Sequence, residues 1–219
     1  QRFLLQQIYP DLEAHYSDSC YAYRPGYSIY SAIEQVMERY RQQPAWVVKA
    51  DIQQFFDHIS WPLLLSQLEN LAIEPVLLQL IEQQLKAGIV LQGRRYPQNQ
   101  GVLQGGVLSG ALANLYLSSF DRACLTEGIP LVRYGDDCVA VTGSWLQAHR
   151  ALVFMQDRLA ENYLSLHPDK SQVLSPSDEF TFLGHHFREG KVILPEWRQK
   201  KNASQPPASN PKRVWSGPP

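Results

Sequence analysis

Two adjacent carboxylates, Asp136 and Asp137, follow a glycine in the stretch LVRYGDDCVAV, between apolar runs at residues 131–134 and 138–141. The flanking residues favour strands, and Gly-Asp between them is a tight-hairpin signal. Such a pair serves equally as a solvated turn or as part of an oxygen-ligand site for a divalent cation. A third carboxylate bears on the choice. Asp51 stands near the end of the apolar run 46–52, within VVKADIQQFFDHI. Alone it reads as a turn residue or helix cap. If a sheet lays that run beside the hairpin, three carboxylates meet, which is costly unless cations neutralise them. Two Mg²⁺ ions would do so, and would clamp both oxygens of an in-line phosphoryl displacement. Successive residues of extended chain point opposite ways, so only one of the pair can face Asp51 directly; Asp136 is the expected one, with Asp137 as a second ligand or electrostatic support.

The elements that must position these groups alternate irregularly between helix and strand. Amphipathic helices are expected over 3–16 and 29–41, the second capped by Ser28. A strand over 46–52 is followed by a helix capped by Ser60 with Pro62 in its first turn. Another helix spans 74–86, and GIVLQGRRYPQNQG reads as a β-hairpin. Residues 109–127 read as one long helix started by Ser109, and 145–163 as a further helix. Short strands follow near 172–174, 180–186 and 191–194. This order predicts an α+β fold, an antiparallel sheet with helices packed on one face.

Composition limits the alternatives. The 219 residues are 44% hydrophobic, enough for a substantial core, and no run approaches the length of a membrane span. With no basic, apolar leader and three cysteines lacking CxxC spacing, the expectation is a cytoplasmic protein with reduced thiols, Cys124 and Cys138 in its core. Net charge is uneven. Residues 1–187 hold 13 Lys and Arg against 19 Asp and Glu; residues 188–219 hold 7 against 2. The second segment contains NASQPPASNPKRVWSGPP and is expected to finish the last hairpin and continue as a basic, Pro-rich tail or linker.

Six stretches in order resemble the palm of a reverse transcriptase of the bacterial group II intron-like lineage, over roughly residues 20–187. YRPGYSIYSAI resembles the family's Arg-Pro-Gly segment, and KADIQQFFDHI its first catalytic motif. GVLQGGVLSGALANLYLSSFD is similar to its Gln-Gly motif and following helix, and RYGDDCVAV to Tyr-x-Asp-Asp. LSLHPDKSQV and FTFLGHHF resemble the lysine-bearing segment and the primer-grip hairpin. Six ordered motifs are far more specific than a lone Gly-Asp-Asp.

The resemblance implies a palm with part of the fingers over residues 1–187. It implies RNA-directed DNA polymerisation, with Asp51, Asp136, Asp137 and the Ile52 carbonyl holding two Mg²⁺ ions, or Mn²⁺ in their place. Phe56 falls where the family places its sugar-sensing aromatic, Phe55 being the core neighbour. Gln104 and Gly105 would lie near the incoming nucleotide, and Lys170 near its triphosphate. Implied partners are an RNA template, a DNA or RNA primer and dNTPs, with intron RNA or a fused CRISPR integrase as further associates and no membrane. An RNA-directed RNA polymerase also uses Gly-Asp-Asp, and Phe56 argues against it. A non-catalytic palm serving as a binding or assembly module is opposed by the three intact aspartates. Two departures stand out. Gly110 replaces the family's usual proline, and Gln53-Gln54 replaces the frequent Lys-Gly. The family's basic fingertips and thumb are expected outside this segment, so residues 1–219 alone should polymerise poorly.

Overall fold

The computed structural model describes residues 1–41, 45–71, 73–92 and 94–193. Its centre is a four-stranded antiparallel sheet in the order β4-β5-β1-β6, formed by Leu131–Tyr134, Asp137–Thr142, Trp46–Asp51 and Gln172–Leu174 respectively. Alternation along the strands assigns two apolar faces. Val48, Ala50, Cys138 and Ala140 point toward helices α6 (Ser118–Thr126) and α7 (Trp145–Glu161), among Phe120, Cys124, Met155 and Leu159. Val47, Val132, Val139 and Val141 point the other way, onto α2 (Ile29–Tyr40) and a second sheet, Phe180–Phe182 (β7), His185–Arg188 (β8) and Lys191–Ile193 (β9). The helices therefore occupy both faces of the palm sheet. A strand buried on two sides cannot alternate apolar with polar, which is why 46–52 reads as an almost continuous apolar run.

Ser28 caps α2 as expected, in a reciprocal capping box with Ser31. The remaining helices are α1 (Arg2–Glu13), α3 (Trp61–Glu69), α4 (Pro75–Lys86) and α5 (Ser109–Tyr116), with a β2–β3 hairpin of Ile89–Leu91 and Arg94–Tyr96. Four local expectations need correction. Ser60 holds the N-cap position of α3 but its side chain makes no capping bond. Pro62, the second helical residue, has no N–H to offer one of the two usual targets. Ser109 is the first residue inside α5, its own N–H bonded to the Gly106 carbonyl at 3.1 Å, so it caps nothing. The long helix breaks at Leu117 (φ −89°, ψ 0°), where the Tyr116 carbonyl accepts Gln67 Nε2 of α3 at 3.3 Å. A helix carbonyl turned toward a side chain opens the ladder there. Finally, 180–186 is two strands of a hairpin, turned at Leu183 and Gly184 with φ of 50° and 73°. The expected basic tail beyond residue 193 lies outside the described residues.

Candidate functional site

The β1–β5 ladder brings the three aspartates together from distant sequence. Its register opposes Trp46 to Thr142 and ends on Asp51 opposite Asp137. Gly135 and Asp136 form the two-residue turn between β4 and β5, Gly135 taking φ 68°, which glycine adopts without steric cost. The Ile52 N–H donates to the Asp136 carbonyl at 3.0 Å, fixing the turn against the end of β1. The residue directly across from Asp51 is thus Asp137. Asp136, in the turn beside that pair, is also near enough for the charge of Asp51 to act on its carboxyl.

Two lysines distribute themselves over the carboxylates. Lys49, two residues before Asp51 and so on its face of the strand, forms an ion pair with Asp137. Lys170 donates to Asp51 Oδ1 at 3.5 Å from a side chain that is largely exposed. The segment carrying Lys170 is tied to β1: His167 N–H donates to the Asp51 carbonyl at 2.8 Å and Asp51 N–H to Ser171 Oγ at 3.2 Å. Burial pushes the Asp136 carboxyl above the ordinary carboxylate range, and the charge of Asp51 pushes the same way. Asp137 is also raised by burial, although Lys49 opposes the shift. Among the described residues no three Asp, Glu, His or Cys side chains form a group arranged to hold a metal ion. The register brings the three carboxylates to one end of the sheet, where Asp136 and Asp137 both feel the charge of Asp51, with Lys49 paired to Asp137 and Lys170 to Asp51.

Phe55 and Phe56 lie in a short 3₁₀ turn, Phe55–His58, after β1. Phe55 is buried in the main core, whereas Phe56 is only partly covered and meets Phe55 edge to face at 5.3 Å. The Phe56 carbonyl accepts Val102 N–H at 2.8 Å, anchoring the 101–106 loop to this turn. Gln104 and Gly105 are exposed at the tip of that loop, Gly105 with φ 79°. No hydrogen bond among the described residues joins them to the aspartates. His185 Nδ1 donates to the Leu183 carbonyl (2.9 Å) and His186 Nδ1 shares a hydrogen bond with Thr181 Oγ1 (3.1 Å), both within their hairpin.

Sequence reasoning missed the support under the turn. Arg133 of β4 is fully buried and makes a bidentate pair with Asp121 of α6 at 2.7 and 2.6 Å. Its Nη1 also donates to Asn114 Oδ1 at 3.3 Å and to the Gly135 carbonyl at 3.0 Å. Asn114 in turn donates to the Ala22 carbonyl at 2.7 Å. A charge inside an otherwise apolar strand was the available signal, but its partner could be found only in three dimensions.

Residues 1–187 match the family described as reverse transcriptase (RNA-dependent DNA polymerase). The chain belongs to the reverse transcriptase family. It is 30% identical to the group II intron-encoded protein LtrA of Lactococcus lactis subsp. cremoris, over 72% of this chain and 25% of LtrA. It is 24% identical to protein YkfC of Escherichia coli, over 96% of this chain and 65% of YkfC. The chain therefore spans less than two thirds of either relative. Among solved structures, a telomerase from Candida albicans in complex with a telomeric RNA fragment has a TM-score of 0.64 at 16% identity, covering 89% of this chain and 38% of that one. The RNA-dependent RNA polymerase of a human picobirnavirus has a TM-score of 0.56 at 15% identity, covering 96% and 44%. Both likenesses identify the polymerase palm fold. No helix among the described residues is long and apolar enough to cross a membrane.

Proposed function

We propose that this reverse transcriptase segment is the catalytic palm of an RNA-directed DNA polymerase that extends a DNA or RNA primer on an RNA template. The observation that carries the reading is the register that sets Asp51 opposite Asp137, with Asp136 in the adjoining turn. The donor set fits a divalent cation. Carboxylate oxygens with a backbone carbonyl suit Mg²⁺, and the upward push that burial and Asp51 exert on Asp136 is the charge surplus a cation would relieve. Asp51 and Asp136 would hold the ions, with Asp137 and the Ile52 carbonyl in support. Bound there, Mg²⁺ would neutralise charge on the phosphates and activate the primer 3′ hydroxyl.

The chain's own groups supply the rest. Lys170, exposed and already beside Asp51, is placed to turn toward an incoming triphosphate and stabilise the pyrophosphate leaving group. Lys49 remains behind to offset Asp137. The partly covered Phe56 ring stands on the open side of the turn and would refuse a ribose 2′ hydroxyl, while Gln104 and Gly105 would approach the nucleotide from the loop. The net charge of residues 1–187 opposes a polyanionic duplex, so the activity is proposed for the full-length natural protein. LtrA is intron-encoded, which favours intron RNA over a CRISPR integrase as the associate.

The likeness to a viral RNA polymerase, together with Gly-Asp-Asp, supports a second reading: an RNA-directed RNA polymerase. Primer extension by the full-length protein on one primed RNA template, with dNTPs or rNTPs and added Mg²⁺, separates the two. The expected outcome is extension with dNTPs, lost by at least about a hundredfold in Asp136→Asn. In Phe56→Ala the rNTP rate should rise relative to dNTP. Preference of the wild type for rNTPs would favour the second reading, and undiminished synthesis by Asp136→Asn would defeat both.

A further inference from the structure

Tyr23 borders three parts of the site at once. It precedes α2 with φ of 56°, a left-handed conformation that a side chain of this size rarely adopts. Its ring lies flat on Gly110 at the start of α5: a Cβ built on that glycine would stand 2.5, 2.6 and 2.9 Å from Tyr23 Cγ, Cδ1 and Cδ2. On another side the ring meets Phe56 edge to face, centroids 6.1 Å apart and planes at 82°. Its far end reaches the catalytic turn, where a Cβ on Gly135 would stand 3.9 Å from Cε2 and 4.0 Å from the hydroxyl. Yet the residue is 54% exposed, so burial does not account for the strained backbone. Such strain persists where surrounding structure over-determines it, commonly at ligand clamps. Phe56 also depends on this contact. Phe55 and Tyr23 both meet its ring edge to face.

We propose that Tyr23 is a specificity-determining residue of the nucleotide site, forming with Phe56 a two-ring wall that sets how strictly a 2′ hydroxyl is refused. This rests on the polymerase reading above. Gly110 is then the seat of the wall, its missing side chain leaving the room that the Tyr23 ring occupies.

The test compares kcat/KM for matched dNTP and rNTP on one primed RNA template, using the full-length natural protein. Wild type is set beside Tyr23→Ala, Tyr23→Phe, Gly110→Ala and Phe56→Ala, with unfolding temperatures measured in parallel. Tyr23→Ala should lower the dNTP-to-rNTP ratio about tenfold, chiefly through a lower KM for rNTP. Tyr23→Phe should retain the ratio, because the ring and not the hydroxyl forms the wall. Gly110→Ala should reproduce the loss by displacing the ring, and should add nothing when combined with Tyr23→Ala. A ratio unmoved in Tyr23→Ala but lowered in Phe56→Ala overturns the role of Tyr23 and leaves the gate at Phe56. A ratio unmoved in both rejects the gate itself. Should Tyr23→Ala fail to fold, Gly110→Ala decides alone, and an unchanged ratio there overturns the proposal.

Discussion

Arg133 and Asp121, on the α6 side of the palm sheet, are both sealed from solvent and fully paired; Asp51, Asp136 and Asp137, at the open end of the same sheet, crowd three like charges around two lysines. The first group holds each charge with short, bidentate bonds and spends one spare N–H on the Gly135 carbonyl. The second leaves Asp136 and Asp137 pushed above the ordinary carboxylate range by burial. The difference shows two uses of charge. The buried pair fixes the turn because it is satisfied, whereas the carboxylate cluster keeps like charges crowded at the turn's open end. They are joined through Gly135, so geometry built on one side is delivered to the other.

Breaking the satisfied side should produce the largest change in stability. Arg133→Leu strands Asp121 in the core and is expected to cost about 3–5 kcal/mol, read as a lower denaturation midpoint. Pairing Arg133→Met with Asp121→Leu should recover most of that loss, because no lone charge remains buried. Polymerisation should nevertheless stay depressed, since the Gly135 carbonyl has lost its donor. Recovery of full activity in the double variant would sever the link between the two regions.

The unsatisfied side should answer with the opposite sign. In chelator, Asp136→Asn is expected to stabilise the fold, by about 1 kcal/mol or less because the turn is solvent-screened. A carboxyl whose folded pKa is raised binds protons more tightly folded than unfolded, so its penalty is absent at low pH and grows as pH rises through the raised value. The gap between variant and wild type should therefore be widest near neutrality and close as pH falls toward the ordinary carboxylate range. Thermal unfolding across pH measures it. A destabilised Asp136→Asn at neutral pH would mean that the cluster is not under electrostatic strain.

The smallest effect is expected at Lys170. Its pairing with Asp51 is long and exposed, so Lys170→Ala should shift stability by about 0.5 kcal/mol or less. Any larger consequence should then fall on kcat, measured at saturating dNTP.

Features decided by neighbouring residues were legible in the chain. The β4–β5 turn follows from Gly135 between apolar runs, the capped start of α2 from Ser28, and the strand β1 from its apolar length. The exposed and buried faces of Phe56 and Phe55 also followed from their adjacency. What escaped depends on partners far along the sequence. Gln67 breaks the helix after Tyr116, Asp121 accounts for Arg133, and the Tyr23 ring accounts for the glycine at 110. The same limit hid which of Asp136 and Asp137 stands in the turn and which pairs with Asp51 across the strands. Residue types indicated three carboxylates and a cation, but only the pairing of strands decides which carboxylate faces which, and which lysines intervene.

The pairing of Asp51 with Asp137 also acts as a safeguard on assembly. Sliding β1 by a single residue against its neighbour would turn Asp51 and Lys49 toward Phe120 and Met155, and would bring Ala50 and Val48 to the open side. That misaligned chain would bury two charges without partners, a penalty large against the marginal stability of a domain. A molecule with a misbuilt site is thereby also one that fails to stay folded. Single-residue insertions or deletions within β1 or β5 should consequently be lethal to the fold, whereas the exposed tip at Gln104 and Gly105 can change length with little harm.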